Sequence, residues 1–243
     1  MKFIITAFFS LFSLSVFSQD TTYYTKAETK TTFKDSANHY WVKFKNSTDS
    51  NRISFKKYLM NDNIVAEQNY SDFTKGILDG KVRKYSPKGD LLSEIDYKQN
   101  KMDGKLLTYW SNGKLKRSDI YKQDSLIEGK CFTSEGKDTT YFPYYVYPQF
   151  LGGIDSLKTY LKNNLRYPPD ASRNGDQGTV YVSFVVGLDG TITNISLQRG
   201  VSPELNAEAL RVVSKMPKWM PGKLDGEHKI FRYTLPVTFR LPD

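Results

Sequence analysis

The sequence predicts an α+β chain, with an all-β module of hairpin repeats followed by a smaller mixed domain. Three observations carry this. Glycines recur at a near-constant spacing through the first half: Gly80, Gly104 and Gly129 stand 24 and 25 residues apart, and Gly89, Gly113 and Gly136 stand 24 and 23 apart. Fixed periods of this size mark stacked supersecondary units. The second half loses the period and reads helix, strand, strand, helix, strand. The chain then closes on "FRYTLPVTFRLPD", where Phe231, Tyr233, Leu235, Val237, Phe239 and Leu241 alternate with Arg232, Thr234, Pro236, Thr238 and Arg240. That alternation is a strand with one buried and one wet face.

Taken in order, the chain opens on "MKFIITAFFSLFSLSVFSQD". A lysine, an apolar run and small residues before Gln19 read as a secretory signal over residues 1–18, cut after Ser18. The rival reading is an uncleaved membrane anchor, although the run is shorter than the roughly 20 apolar residues that span a bilayer. The remaining chain of about 225 residues suits two small domains. Cys131 is the one cysteine, so no intramolecular disulfide can form and the folded units must rest on their packed cores. The net charge of +9 is spread along the chain with acids interleaved. No element carries the basic stripe that nucleic-acid binding requires; solubility, or a weak attraction to anionic envelope polymers, accounts for the sign.

Residues 19–54 read as part of the repeat module and 55–140 as its hairpin repeats. "LDGKVRKYSPKGDLLSEIDYKQNK", "MDGKLLTYWSNGKLKRSDIYKQDSL" and "IEGKCFTSEGKD" align, with Tyr85 matching Tyr109 and Tyr97 matching Tyr121. Asn112-Gly113 predicts a type I′ turn. The Asp/Glu-Gly-Lys triplets predict tight turns between units, and the Tyr and Leu positions the core ladder. A lone hairpin is marginal, so stacking must supply the buried face. These segments resemble the MORN-like repeats of the YwqK family, which implies either a binding surface or a scaffold that holds the next domain out.

Residues 141–153, rich in aromatics, Pro and Gly, read as a linker that packs into the next domain. Ile154, Leu157, Leu161 and Leu165 then fall on one helical face, and Tyr167-Pro168-Pro169 ends that helix. One more helical turn fits before Gly175. "TVYVSFVVGLDGTITNISLQRG" is a hairpin turning at Asp189-Gly190. Ser202 predicts an N-cap, with Pro203 in the first turn and Glu204 against the dipole. Leu205, Ala209, Val212, Val213 and Met216 line the buried face of the helix that follows. Pro236, which cannot donate to a ladder, confines the closing strand to an edge or a bulge.

Residues 148–241 are similar to the TonB C-terminal domain, in the form common in Bacteroidota envelope proteins. Tyr167-Pro168, "QGTVYVSFVVGLDGTI", "LNAEALRVVSKMPKWMPGK" and "YTLPVTFRL" carry the resemblance. It implies a domain over 154–243 with two helices against a three-stranded antiparallel sheet. It also implies a partner, an outer-membrane TonB-dependent receptor segment or another envelope protein, held along the last strand by β-augmentation. Carried onto strand 229–241, this makes Arg232, Thr234, Thr238 and Arg240 partner-binding, with Tyr167 near the domain entrance; in the alternative, Tyr167-Pro168 caps a helix and packs. Trp219 reads as a core or loop anchor.

The chain departs from the family's energy transducers. They carry a membrane anchor and a Pro-rich spacer, whereas here Pro87 is the one proline before residue 143 and the N-terminal apolar run contains no ionisable group. The expectation is a periplasmic, non-enzymatic interaction module without cofactor; the alternative is a structural envelope protein that binds peptidoglycan or pairs with its own copy through the edge strand. His39 and His228 read as surface residues and Cys131 as a buried or inert thiol, and no metal or phosphate-binding motif appears. The same resemblance implies O-glycosylation at Asp-Ser/Thr sites, giving Thr21, Ser36, Ser125, Thr139 and Ser156.

Overall fold

The computed structural model describes residues 19–24, 30–31, 37–45, 49 and 51–241; the predicted signal over 1–18 and Ser36 lie outside these. The chain divides between Tyr141 and Phe142 into two compact units.

The first unit is one antiparallel sheet. Its strands are β1 (Gln19–Tyr24), β2 (Lys30–Thr31), β3 (His39–Lys45), β4 (Ile53–Leu59), β5 (Ile64–Asp72), β6 (Ile77–Leu78), β7 (Gly80–Tyr85), β8 (Leu91–Lys98), β9 (Lys101–Tyr109), β10 (Leu115–Lys122), β11 (Ser125–Phe132) and β12 (Asp138–Thr139). From β3 to β12 they pair as an up-and-down meander, with β6 set beside β5 and β1 between β3 and β2.

Two turn types alternate along it, and they differ from the sequence expectation. At Asn112-Gly113, Gly113 takes φ +78° while Asn112 keeps a negative φ, so the turn is not type I′. Instead Gly113 N donates to Trp110 O and Trp110 N to Lys114 O, a longer loop whose glycine sits in the left-handed region. Gly89 and Gly136 close the same loop in the neighbouring repeats. Positive φ at two successive residues occurs instead at Gln99-Asn100 and Gln123-Asp124, the tight connections between repeats. The Asp/Glu-Gly-Lys triplets are not turns. They lie at or within strands β7, β9 and β11, where a Cβ on Gly104 would lie 2.7 Å from Cβ of Asp96 on β8. Glycine there admits the neighbouring strand's carboxylate, which accepts a hydrogen bond from Lys105 N at 3.0 Å.

One face carries the buried row Ile53, Val82, Ile95, Leu106, Tyr121 and Cys131. Of the repeated tyrosines Tyr121 is buried in this row, while Tyr58, Tyr85, Tyr97 and Tyr109 are half-buried and flank it. On the other face Lys56, Glu67, Arg83 and Glu94 stand directly opposite one another across four strands. Arg83 bonds Glu67 at 3.0 Å and Glu94 at 2.7 Å. Alternating charge at cross-strand positions stabilises a sheet that stands in water on that side. Near the last strands Arg117 and Asp119 form a fully buried ion pair at 2.7 Å, with the Tyr141 ring over the guanidinium. Cys131 is a free, buried thiol. His39 is buried and stacked on Tyr24, not on the surface; its strand lies inside the sheet between β1 and β4, which covers both flanks. His228 is exposed.

The second unit contains β13 (Tyr145–Val146), α1 (Gly153–Asn164), α2 (Pro169–Asn174), β14 (Gly178–Val186), β15 (Ile192–Arg199), α3 (Pro203–Ser214), β16 (Lys223–Leu224), β17 (Glu227–His228) and β18 (Phe231–Phe239). Its main sheet has the order β15-β14-β18, and β13, β16 and β17 make a small second sheet. The short α2 is the extra helical turn expected before Gly175. Residues 142–152 pack into this unit: Tyr144 and Phe150 are buried, and Gln149 exchanges backbone hydrogen bonds with Met220.

The core joins Leu157 of α1 and Leu205, Ala209, Val212 and Val213 of α3 to Val180, Val182, Phe184 and Val186 of β14 and Leu235, Val237 and Phe239 of β18. Two local expectations change. Ile154, placed by spacing on the buried helical face, is 61% exposed. Ser202 occupies the N-cap of α3 but its hydroxyl makes no capping bond. The side chain of Asn206 reaches back instead and accepts from Val201 N at 2.9 Å.

Candidate functional site: the free edge of the last strand

Both outer strands of the β15-β14-β18 sheet have an open side, and they differ. The β14–β15 register shifts twice, and Asn194 on β15 takes φ +52°. Bulges of this kind blunt an edge. The register of β18 with β14 runs without a shift from Phe231↔Val186 to Phe239↔Gly178. β18 is therefore the regular edge of the domain.

The alternation read in the sequence sets its two faces. Leu235, Val237 and Phe239 are buried against the helices, while Arg232, Thr234, Pro236, Thr238 and Arg240 are exposed. Thr238 shares a hydroxyl hydrogen bond of 2.9 Å with Thr179, its cross-strand neighbour on β14. Thr234 Oγ1 donates to Gln198 Oε1 at 2.9 Å. These bonds fix two side chains of the wet face in place. Among the described residues, neither Arg232 nor Arg240 has an ion pair or side-chain hydrogen bond, and both are exposed.

The structure thus brings Arg232, Thr234, Thr238 and Arg240 onto one face. Tyr167 lies on the other. Its ring meets Phe239 edge-on at 5.8 Å and its hydroxyl donates to the Asp176 carbonyl, so it braces the end of β18 from the core side.

Trp219 is buried at 3% exposure, edge-on to Phe150 and Phe184 and 5.0 Å from Tyr233. Beside Tyr233 opens a cleft of about 270 Å³ lined by Pro148, Phe150, Ile154, Leu157, Trp219 and Tyr233, with Gln149 and Gly153. Sequence reasoning missed it because its walls come from three separate segments; the one local signal is an isoleucine at the start of a helix whose spacing asked for burial. Among the described residues no group of His, Cys, Asp and Glu could hold a metal ion. No helix among them is long and apolar enough to cross a membrane.

The second unit is thus a small α+β domain that offers one straight strand edge with a polar outer face. Residues 163–241, about a third of the chain, match the family model for the Gram-negative bacterial TonB protein C-terminal, so the second unit carries a TonB-like domain. Similar solved structures are two NMR solution structures of the Helicobacter pylori TonB C-terminal domain. One is 25% identical and covers 36% of this chain and 78% of its own, with a TM-score of 0.29. The other is 26% identical and covers 37% and 94%, with a TM-score of 0.29. No curated protein matches.

Proposed function

We propose that the chain is an exported, periplasmic interaction protein whose C-terminal domain, over 154–243, binds an extended segment of an outer-membrane receptor or other envelope protein by strand addition on β18. The observation that carries this is the uninterrupted nine-residue register of β18 with β14, which leaves a regular row of backbone groups on the outer side. Main-chain bonds give affinity to such an addition and side chains give selectivity. Pro236 fits the same picture. Backbone N–H and C=O groups of one residue point to the same side and alternate along a strand. A proline facing the open side leaves the β14 ladder complete, and Arg232, Thr234 and Thr238 then offer the donors, with a gap at Pro236. Arg232 and Arg240 favour acidic residues on the partner's outer face.

The test is Thr238→Pro, which removes an outward donor. Binding of an extended receptor-derived peptide should weaken about tenfold or more, while Thr238→Val, which removes only the hydroxyl, changes it less. Unchanged affinity in the proline variant would end the strand-addition reading.

The MORN-like repeats over 55–140, joined by 19–54, serve in this reading as the scaffold that carries the domain, and residues 1–18 as the signal that exports it. Edge pairing between two copies is the second reading, favoured by the same open strand; sedimentation of the purified chain separates it from partner binding. Thr21, Ser125 and Thr139 are exposed and Ser156 is half-buried, which suits O-glycosylation at the first three better than at the fourth. Intact mass at the unmodified value removes that proposal.

A further inference from the structure

The cleft beside Tyr233 has a definite relation to the open edge. Tyr233 lies on the helix side of β18 and pairs with Phe184 of β14. Among the described residues that line the cleft, none comes from β14 or β15. On the main sheet the cleft therefore borders β18, the strand with the open edge, through Tyr233. Alternate side chains of an added strand point to the helix side. One placed beside Tyr233 would meet the cleft that Tyr233 shares with Gly153 and Ile154 of α1.

Apolar side chains make up most of the walls, with Gln149 and Gly153 beside them. Phe150, Leu157 and Trp219 are buried while Ile154 stands at the rim, 61% exposed. The volume, about 270 Å³, is enough to admit one bulky side chain.

We infer that this cleft is the specificity pocket of the β18 edge, taking one large apolar side chain, of leucine, isoleucine or phenylalanine size, from the incoming segment. The inference rests on the strand-addition reading and adds to it the residue that the partner must carry. The segment it selects alternates: acidic or polar residues on the side of Arg232 and Arg240, and one large apolar residue on the side of Tyr233.

The probe is a set of short synthetic peptides of alternating Glu and Thr, in which Leu replaces one Thr at successive positions; the parent has no Leu. Each is titrated by fluorescence anisotropy against the full chain, against Ile154→Trp, which fills the rim, and against Thr238→Pro, with circular dichroism to check folding. One Leu placement should bind about tenfold more tightly than the parent. In Ile154→Trp that ratio should fall to about one, and in Thr238→Pro all peptides should weaken together. Equal binding of every placement, with Thr238→Pro still weakening all of them, overturns the pocket and leaves strand addition standing. A Leu preference that survives Ile154→Trp also overturns it. Affinities untouched by Thr238→Pro overturn strand addition itself. A dimer of the chain that Ile154→Trp dissociates makes a second copy the occupant, and overturns the assignment to a partner segment.

Discussion

Gly190 and Trp219 are locked backbone to backbone. Trp219 N donates to Gly190 O at 2.9 Å, Gly190 takes φ +82°, and a Cβ on Gly190 would lie 1.9 Å from the Trp219 carbonyl oxygen. The β14–β15 turn thereby holds the loop that presents Trp219 to the core and to the cleft. Gly190→Ala combines a left-handed strain with a backbone collision, and should destabilise the second unit by about 2–4 kcal/mol. Thermal unfolding followed by circular dichroism reads this as a lowered midpoint.

In the first unit, the Arg117–Asp119 pair is fully buried. Replacing Asp119 by leucine strands a guanidinium in the core, and should cost about 3–5 kcal/mol in urea unfolding. The double replacement Arg117→Met with Asp119→Leu should recover most of that loss, because no unpaired charge is left behind.

The stability of the second unit should depend on acid through Glu208. Burial raises its carboxyl, but hydrogen bonds from Arg211 and from Arg166 N outweigh it and hold the group below its ordinary 4.5. A depressed folded value means that this stabilisation is complete above pH 4.5 and is lost as pH falls through the folded pKa. Glu208 accepts from Arg166 N at 2.7 Å, just past the end of α1, and Arg211 donates to Asn164 O at 2.7 Å, so the pair ties α3 to α1. Glu208→Gln should cost about 1–2 kcal/mol at neutral pH and flatten the loss of melting temperature below pH 4.5.

Pro236 interrupts the outward donor row in the proposed pairing. Pro236→Thr should add one main-chain bond to a docked strand and tighten an extended peptide several-fold. The same change should raise self-association of the free chain, since edge prolines suppress strand-to-strand pairing. Peptide titration and sedimentation velocity check the two effects separately.

Much of the second unit was legible because its signals are local. The alternation in "FRYTLPVTFRLPD" assigned the faces of β18 from Arg232 to Phe239, and the apolar spacing from Leu205 to Met216 assigned the buried side of α3. Both depend only on the geometry of one strand or one helix. Where a local signal met a neighbour, it changed. Ser202 was placed at an N-cap correctly, yet Asn206 supplied the side-chain bond nearby. Asn112-Gly113 made a turn, yet a different one, because the glycine alone took the left-handed conformation. The carboxylate of Asp96 across from Gly104 turned a presumed turn triplet into part of a strand.

By itself, then, the sequence determined the main strands and helices, their order, and the wet and dry faces of β18 and α3, since backbone geometry and side-chain polarity fix these within a few residues. The tertiary structure decided what depends on residues far apart in the chain. It chose β18 over β15 as the regular edge by bulging one and leaving the other straight. It buried His39 between strands, aligned Lys56, Glu67, Arg83 and Glu94 into one ladder, and opened a cleft between α1, the Trp219 loop and Tyr233. Register and packing are properties of pairs of segments, and no single segment contains them.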